Sequence, residues 1–152
     1  MSTPPNLRLT AALSAGHRDR LLRCATPVDV PEDTRFFEEG GYADRFWMVR
    51  TGTVTLDVHV PGRRPAVVDS VGAGELLGWS WLFEPYRWRF GAEAMTRVRA
   101  DEFDAATVRM MMDADPGFGF ALDHFVGQML AHRLFSARVR LLDLYAPHGS
   151  GM

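Results

Sequence analysis

Between Val71 and Trp88 the chain places glycines, a carboxylate directly after them at Glu75, a dense aromatic run and an arginine, with a second arginine at position 89. That order suits a pocket for a small anion. Glycines let the backbone come close to a ligand, and a helix start behind them would aim free N–H groups at it. Glu75 can hydrogen-bond a hydroxyl, and a guanidinium can grip a phosphate through two parallel hydrogen bonds. On these residue types a ligand would rest against Gly74, Leu76, Leu77 and Gly78, with Glu75 beside it and Arg87 or Arg89 on its charge. Glu75 can equally be a turn carboxylate facing solvent, and the two arginines can be exposed charges. Alternation through Arg87-Trp88-Arg89-Phe90 puts both arginines on the face opposite Trp88, so a strand that points Trp88 inward points them out. Trp79, Trp81, Phe83, Tyr86, Trp88 and Phe90 read either as the wall of a pocket for a flat or apolar ligand or as barrel core.

No other constellation in the chain suggests catalysis. Ser80 lies between two tryptophans, and Gly78-Trp79-Ser80-Trp81-Leu82 lacks the second glycine of a nucleophile elbow. His124 and His132 are eight residues apart with no third ligand nearby in sequence, so no zinc site is expected. There is no paired-carboxylate motif and no Walker loop, and the protein is expected not to be an enzyme and to hold no metal or resident cofactor. Cys24 is the sole cysteine, which rules out an internal disulfide and reads as a small buried residue.

The elements that must position these residues follow from pattern. With 152 residues and an apolar fraction of 47%, one domain with a real core is expected. The net charge of −2 provides no field for nucleic acid. All the basic residues apart from histidine are Arg, so an Arg cluster carries less weight than usual. Neither a signal peptide nor a membrane span is seen, which makes the cytoplasm the expected location. Residues 1–6 and 146–152 read as a disordered and a flexible tail around a domain spanning 7–145. Leu9–Leu13 and Gly16–Cys24 read as short helices. Strands are expected at Arg35–Phe37, Arg45–Arg50, Thr53–Val60 and Ala66–Val71, with a hairpin tip at Pro61–Pro65. Closely spaced strands without an intervening helix argue for a barrel or jelly roll. Asp104 can cap a helix to about Asp113. Asp115-Pro116 then opens a long helix over about 116–145, on which Val126, Leu130, Leu134, Ala137, Leu141 and Leu144 form a near-heptad seam. Such a stripe predicts a homodimer built on this helix.

The run Glu39-Gly40-Gly41-Tyr42-Ala43-Asp44-Arg45-Phe46-Trp47-Met48-Val49-Arg50-Thr51-Gly52-Thr53-Val54 resembles the opening signature of cyclic nucleotide-binding domains, and Gly74-Glu75 resembles the start of their phosphate cassette. The similarity runs from about Leu13 to Tyr145. It implies a mainly β fold, a β-roll with short N-terminal helices and a long C-terminal helix. It also implies that Glu75 would meet a ribose hydroxyl and that the long helix would close over an occupied pocket. The cassette is non-standard: the usual phosphate arginine falls where Trp88 stands, flanked by Arg87 and Arg89. The aromatic run resembles small stand-alone bacterial members of the family. The expected function is a non-catalytic regulatory sensor for cyclic AMP or another small anionic or aromatic molecule, signalling through a separate effector or its own dimer. The alternative is a ligand-independent scaffold with an aromatic-filled pocket. A DNA-binding relative would carry a helix-turn-helix after the long helix. This chain ends at Met152, so direct DNA binding is not expected.

Overall fold

A computed structural model of the chain describes residues 8–145; the two expected tails lie outside that range. Helices α1 (Leu9–Ala12) and α2 (Ala15–Leu22) precede strands β1 (Thr26–Val30), β2 (Arg35–Phe37), β3 (Arg45–Thr51), β4 (Val54–Val58), β5 (Ala66–Val71) and β6 (Leu76–Leu77). One turn of 3-10 helix (Ser80–Leu82), strands β7 (Gly91–Ala94) and β8 (Val98–Asp104), and helices α3 (Ala105–Ala114) and α4 (Pro116–Tyr145) complete the fold.

The strands form two antiparallel sheets, in the orders β1-β8-β3-β6 and β2-β7-β4-β5. Side chains on β3 alternate between two cores. Phe46 stacks on Trp81 at 4.0 Å and on Phe103 at 4.9 Å, on the side covered by the helices. Trp47 points the opposite way, onto Phe36 and Phe37 of the second sheet at 5.2 and 5.8 Å. Strand β3 is thus buried on both faces. This explains why β3 reads as a continuous apolar run, whereas β4 keeps the alternation of a half-buried strand.

The helical ends follow their caps. The Asp104 carboxylate accepts from the Thr107 N–H at 2.9 Å and starts α3. Asp115 accepts from the Phe118 N–H at 3.2 Å, is paired with Arg20 of α2, and starts α4 ahead of Pro116. Helix α4 lies on the domain through Phe118, Leu122, Phe125, Val126 and Met129. The near-heptad seam therefore divides in two. Val126 is core and Leu130 half-buried, but Leu134, Ala137, Leu141 and Leu144 are exposed. Cys24 is only half-buried, against the Arg20 carbonyl and the Met111 sulfur. It sits in a loop after α2, whose apolar anchors are Leu21 and Leu22.

Candidate functional site

The glycine-rich turn between β5 and β6 uses its polar groups on itself. The Glu75 carboxylate accepts from the Gly72 N–H at 3.0 Å, and the Glu75 N–H donates to the Gly72 carbonyl at 3.1 Å. The Gly74 N–H donates to the Val49 carbonyl at 2.8 Å, and the Gly74 carbonyl accepts from the Leu9 N–H at 3.2 Å. The turn is therefore locked to β3 on one side and to α1 on the other. Gly74 has φ +84°, a left-handed conformation that favours glycine, and the Arg8 side chain packs over it.

The helix start expected after Glu75 is not there. Leu76 and Leu77 form strand β6, with Leu77 opposite Trp47 and Leu76 opposite Met48, and both are fully buried. Pairing with β3 overrides the local pattern, because two leucines beside an open sheet edge gain both a ladder and a core. Helical geometry begins only at Ser80, as a single 3-10 turn. The expected row of free N–H groups at Leu76–Gly78 is thus replaced by a sheet edge.

The centre of the roll is filled by Trp88. Its side chain is 5% exposed, stacked on Phe37 at 3.7 Å between centroids and lying 6.3 Å from Trp47. Gly78 makes this position possible. It has φ +100°, and a Cβ there would stand 2.8 and 2.9 Å from the Trp88 Cη2 and Cζ3 atoms. What remains is a cavity of about 10 Å³, room for no more than one water, lined by Leu76, Gly78, Trp88 and Arg89 among others. The backbone secures this arrangement: the Trp88 N–H donates to the Gly41 carbonyl, and the Trp88 carbonyl accepts from the Gly40 N–H, both at 2.8 Å.

The two candidate arginines separate. Both are exposed, whereas Trp88 is buried. Arg87 lies outside, its guanidinium 5.6 Å from the Tyr42 ring, whereas Arg89 sits on the rim of the cavity. Of the residues assigned to a site from sequence, Leu76, Gly78, Trp88 and Arg89 come together. Gly74 and Glu75 serve their own turn, Leu77 is core, and Arg87 is outside.

Three residues not assigned from sequence belong to the same place. Phe37 forms the stacking face for Trp88. Ser80 lines the cavity. Arg133 reaches the cavity from α4 with its side chain 17% exposed. Its one sequence signal is a position three residues past the half-buried Leu130. A fourth residue, Arg109, ties the aromatic loop to α3: it donates to the Trp81 carbonyl at 2.7 Å, and its guanidinium stands 4.3 Å from the Tyr86 ring.

A second cleft, of about 240 Å³, opens between Arg35, Glu38, Glu39, Asp57, His59 and Pro65. Its charges are already paired. Arg35 donates to the buried Asp57 carboxylate at 2.5 and 3.1 Å and to Glu38 at 2.8 Å, and the Asp57 hydrogen bond raises the guanidinium pKa above its ordinary value. The Glu39 carboxylate accepts from the His59 N–H at 2.7 Å. Among the described residues no three metal-ligating side chains cluster, and no helix is long and apolar enough to cross a membrane.

Comparison with known proteins agrees with this architecture. Residues 27–115 match the family model of the cyclic nucleotide-binding domain. The CRP-like cAMP-activated global transcriptional regulator of Mycobacterium tuberculosis is 27% identical over 118 residues, 78% of this chain and 51% of the regulator. The chain thus spans about half the length of the curated relatives it matches. A solved structure from Geobacter metallireducens GS-15, provisionally classed as a cyclic nucleotide-binding protein, is 26% identical with a TM-score of 0.73, covering 88% of this chain and 99% of that one. Thermus thermophilus Catabolite Activator Protein, 22% identical with a TM-score of 0.72 over 91% of this chain and 63% of its own, shares the fold. With its signature run, its two-sheet roll and its long C-terminal helix all in place, the chain belongs to the cyclic nucleotide-binding domain family.

Proposed function

We propose that this protein is a non-catalytic regulatory module whose nucleotide site is filled from within by Trp88, that it binds cyclic AMP and cyclic GMP weakly, and that it signals through its α4 helix as a homodimer or to a separate effector in the cytoplasm. The observation that carries the reading is the Trp88 ring lying against Gly78 and Phe37, with a cavity of only about 10 Å³ beside it. A nucleotide entering the roll must expel that ring. Removing a buried tryptophan side chain typically costs about 3–5 kcal/mol. The competent state is then populated so rarely that affinity drops roughly a hundred- to several-thousandfold. A pocket with micromolar intrinsic affinity would read as roughly 0.1–5 mM. Glu75 adds to this, since it must leave the Gly72 N–H before it can meet a ribose.

The dimer reading rests on the far half of α4. Leu134 is 61% and Leu144 79% exposed, with Phe135, Leu141, Leu142 and Tyr145 also bare. This apolar stretch of about 18 Å would be covered by a second copy across a twofold axis. The net charge of −2, and the engagement of Arg133 and Arg140 with Asp69 and the Val68 carbonyl, argue against direct DNA contact by this domain. Calorimetry with cyclic AMP and cyclic GMP tests the proposal. Wild type is expected to bind neither below about 100 µM, and Trp88→Ala is expected to gain affinity. Submicromolar binding by wild type that is lost in Glu75→Ala would overturn it.

A further inference from the structure

Trp88 is fastened into the roll from two directions. Residues 86–88 are zipped to the signature loop, 40–44. The Ala43 N–H donates to the Tyr86 carbonyl at 2.7 Å, Tyr42 pairs with Arg87 in a β-bridge, and the Trp88 N–H and carbonyl are taken by Gly41 and Gly40. Both arms of this zipper end on α3. The Asp44 carbonyl accepts from the N–H of Ala105, the first residue of α3, at 3.0 Å. One turn further along, Arg109 lies over the Tyr86 ring, 4.3 Å from its centroid, and donates to the Trp81 carbonyl at 2.7 Å. Arg109 is half-buried and, among the described residues, forms no ion pair. Its guanidinium is thus spent on one carbonyl and one ring, both in the aromatic loop that carries Trp88.

Tyr86 itself is under strain. Its φ of +56° is a left-handed conformation that a residue with a side chain seldom adopts. Such strain persists only where the surroundings enforce it. Here they are Arg109 on the ring, with the Tyr86 carbonyl taken by Ala43 and the Tyr86 N–H donating to the Phe83 carbonyl at 2.9 Å. We propose that Arg109 is the latch of an autoinhibitory plug: it holds Tyr86 in its strained turn and thereby Trp88, two residues on, inside the roll, an inference that rests on Trp88 filling the nucleotide site. With the plug out, Tyr86 leaves the left-handed turn and Arg109 loses both partners. These contacts therefore weigh on the closed state alone and set how rarely the open state is populated. Asp115 ends α3 through its N–H on the Met111 carbonyl and starts α4 through its carboxylate. A shift of these joined helices draws Arg109 off Tyr86, so the plug answers to the helical layer.

The test is Arg109→Met in the full chain, which removes the hydrogen bond and the cation–π contact and leaves no buried carboxylate behind. Two readouts are taken: cyclic AMP affinity by calorimetry, and amide hydrogen exchange at Gly40, Ala43 and Trp88, the donors of the zipper. Affinity should rise roughly tenfold over wild type, and the three amides should exchange faster by the same factor. Arg109→Lys should fall between the two. A residue that only stabilises the domain would lower the melting temperature and leave cyclic AMP affinity where it was, and that result overturns the latch. In a Trp88→Ala background the plug is gone, so Arg109→Met should add nothing further. A gain there would mean that Arg109 acts on the ligand directly, which also overturns the latch. Where Arg109→Met proves poorly folded by circular dichroism, Tyr86→Leu removes the same ring contact from the other side and should give a smaller gain in affinity; no gain overturns the latch. The two readings fail separately. Tight binding of cyclic AMP by wild type, or no gain in Trp88→Ala, overturns the filled roll, whereas a gain in Trp88→Ala with none in Arg109→Met overturns the latch alone.

Discussion

Replacing Trp88 by alanine removes the group that distinguishes this roll from an open one, and the cost can be worked from its surroundings. A buried tryptophan removes about 150–250 Å² from water. At about 25 cal/mol/Å² that amounts to about 4–6 kcal/mol, of which the alanine retains a small part. The range found for large-to-small core changes, about 3–5 kcal/mol, agrees. Because Trp88 is 5% exposed and stacked on Phe37, the full range applies, with no discount for partial exposure. For a chain of this length each kcal/mol moves the melting temperature by about 2–4 °C, so Trp88→Ala should melt roughly 6–20 °C lower. The cavity left behind is walled on its inner side by Phe37, Leu56 and Leu76, a surface that suits an apolar ring, with Arg89 and Arg133 at its mouth. Free indole should therefore bind the variant and not the wild type. At tenfold excess over its Kd it should restore about 1.4 kcal/mol, or about 3–6 °C. Differential scanning calorimetry with and without indole measures both effects. A variant that loses less than about 1 kcal/mol and ignores indole would show that the ring does not fill the roll, and the reasoning from Gly78 and Phe37 would fall with it.

Gly78→Ala should destabilise the protein by about 1–3 kcal/mol, from a left-handed φ and a clash with Trp88. In the Trp88→Ala background only the φ cost should remain, so a double-mutant cycle by denaturant unfolding should give a favourable coupling, and strict additivity would refute the contact. Light scattering at micromolar concentration should report a dimer. Leu134→Glu and Leu141→Glu should each shift it toward the 17.0 kDa monomer, and a wild type that is already monomeric would end the dimer proposal. Acid should weaken the caps of α3 and α4. The Thr107 hydroxyl and N–H hold the Asp104 carboxyl below the ordinary aspartate value, and the Phe118 N–H and Arg20 do the same for Asp115. A depressed carboxyl contributes fully above its unfolded pKa and loses that contribution as pH falls through the folded one, so the loss should begin below about pH 4. Melting curves of Asp104→Asn and Asp115→Asn against pH should show a shallower acid slope than wild type.

Much of this protein is written locally. Caps at Asp104 and Asp115-Pro116 mark where α3 and α4 begin, because a carboxylate meets an N–H only three residues away. Alternation through Arg87-Trp88-Arg89 suggests a buried tryptophan between exposed arginines, since neighbouring side chains on extended backbone point opposite ways, and the burial follows it although Arg89 stays on the cavity rim. The signature from Glu39 to Val54 was enough to place the chain among β-rolls. What the sequence could not determine is which partner each group takes across long separations. Leu76-Leu77 reads as the start of a helix by pattern and becomes a strand because β3, some thirty residues earlier, offers an edge. The family resemblance suggests a ribose hydroxyl as the partner of Glu75, yet its carboxylate turns to Gly72, a rotation that residue type leaves open. Whether the aromatic run lines a pocket or fills it depended on Gly78, Phe37 and Trp88 meeting at one point, which only the closed roll brings about. Arg133 joins that place from a helix more than forty residues further on. Its nearness to Ser80 and Arg89 is a property of how α4 lies on the roll, and no spacing along the chain records it.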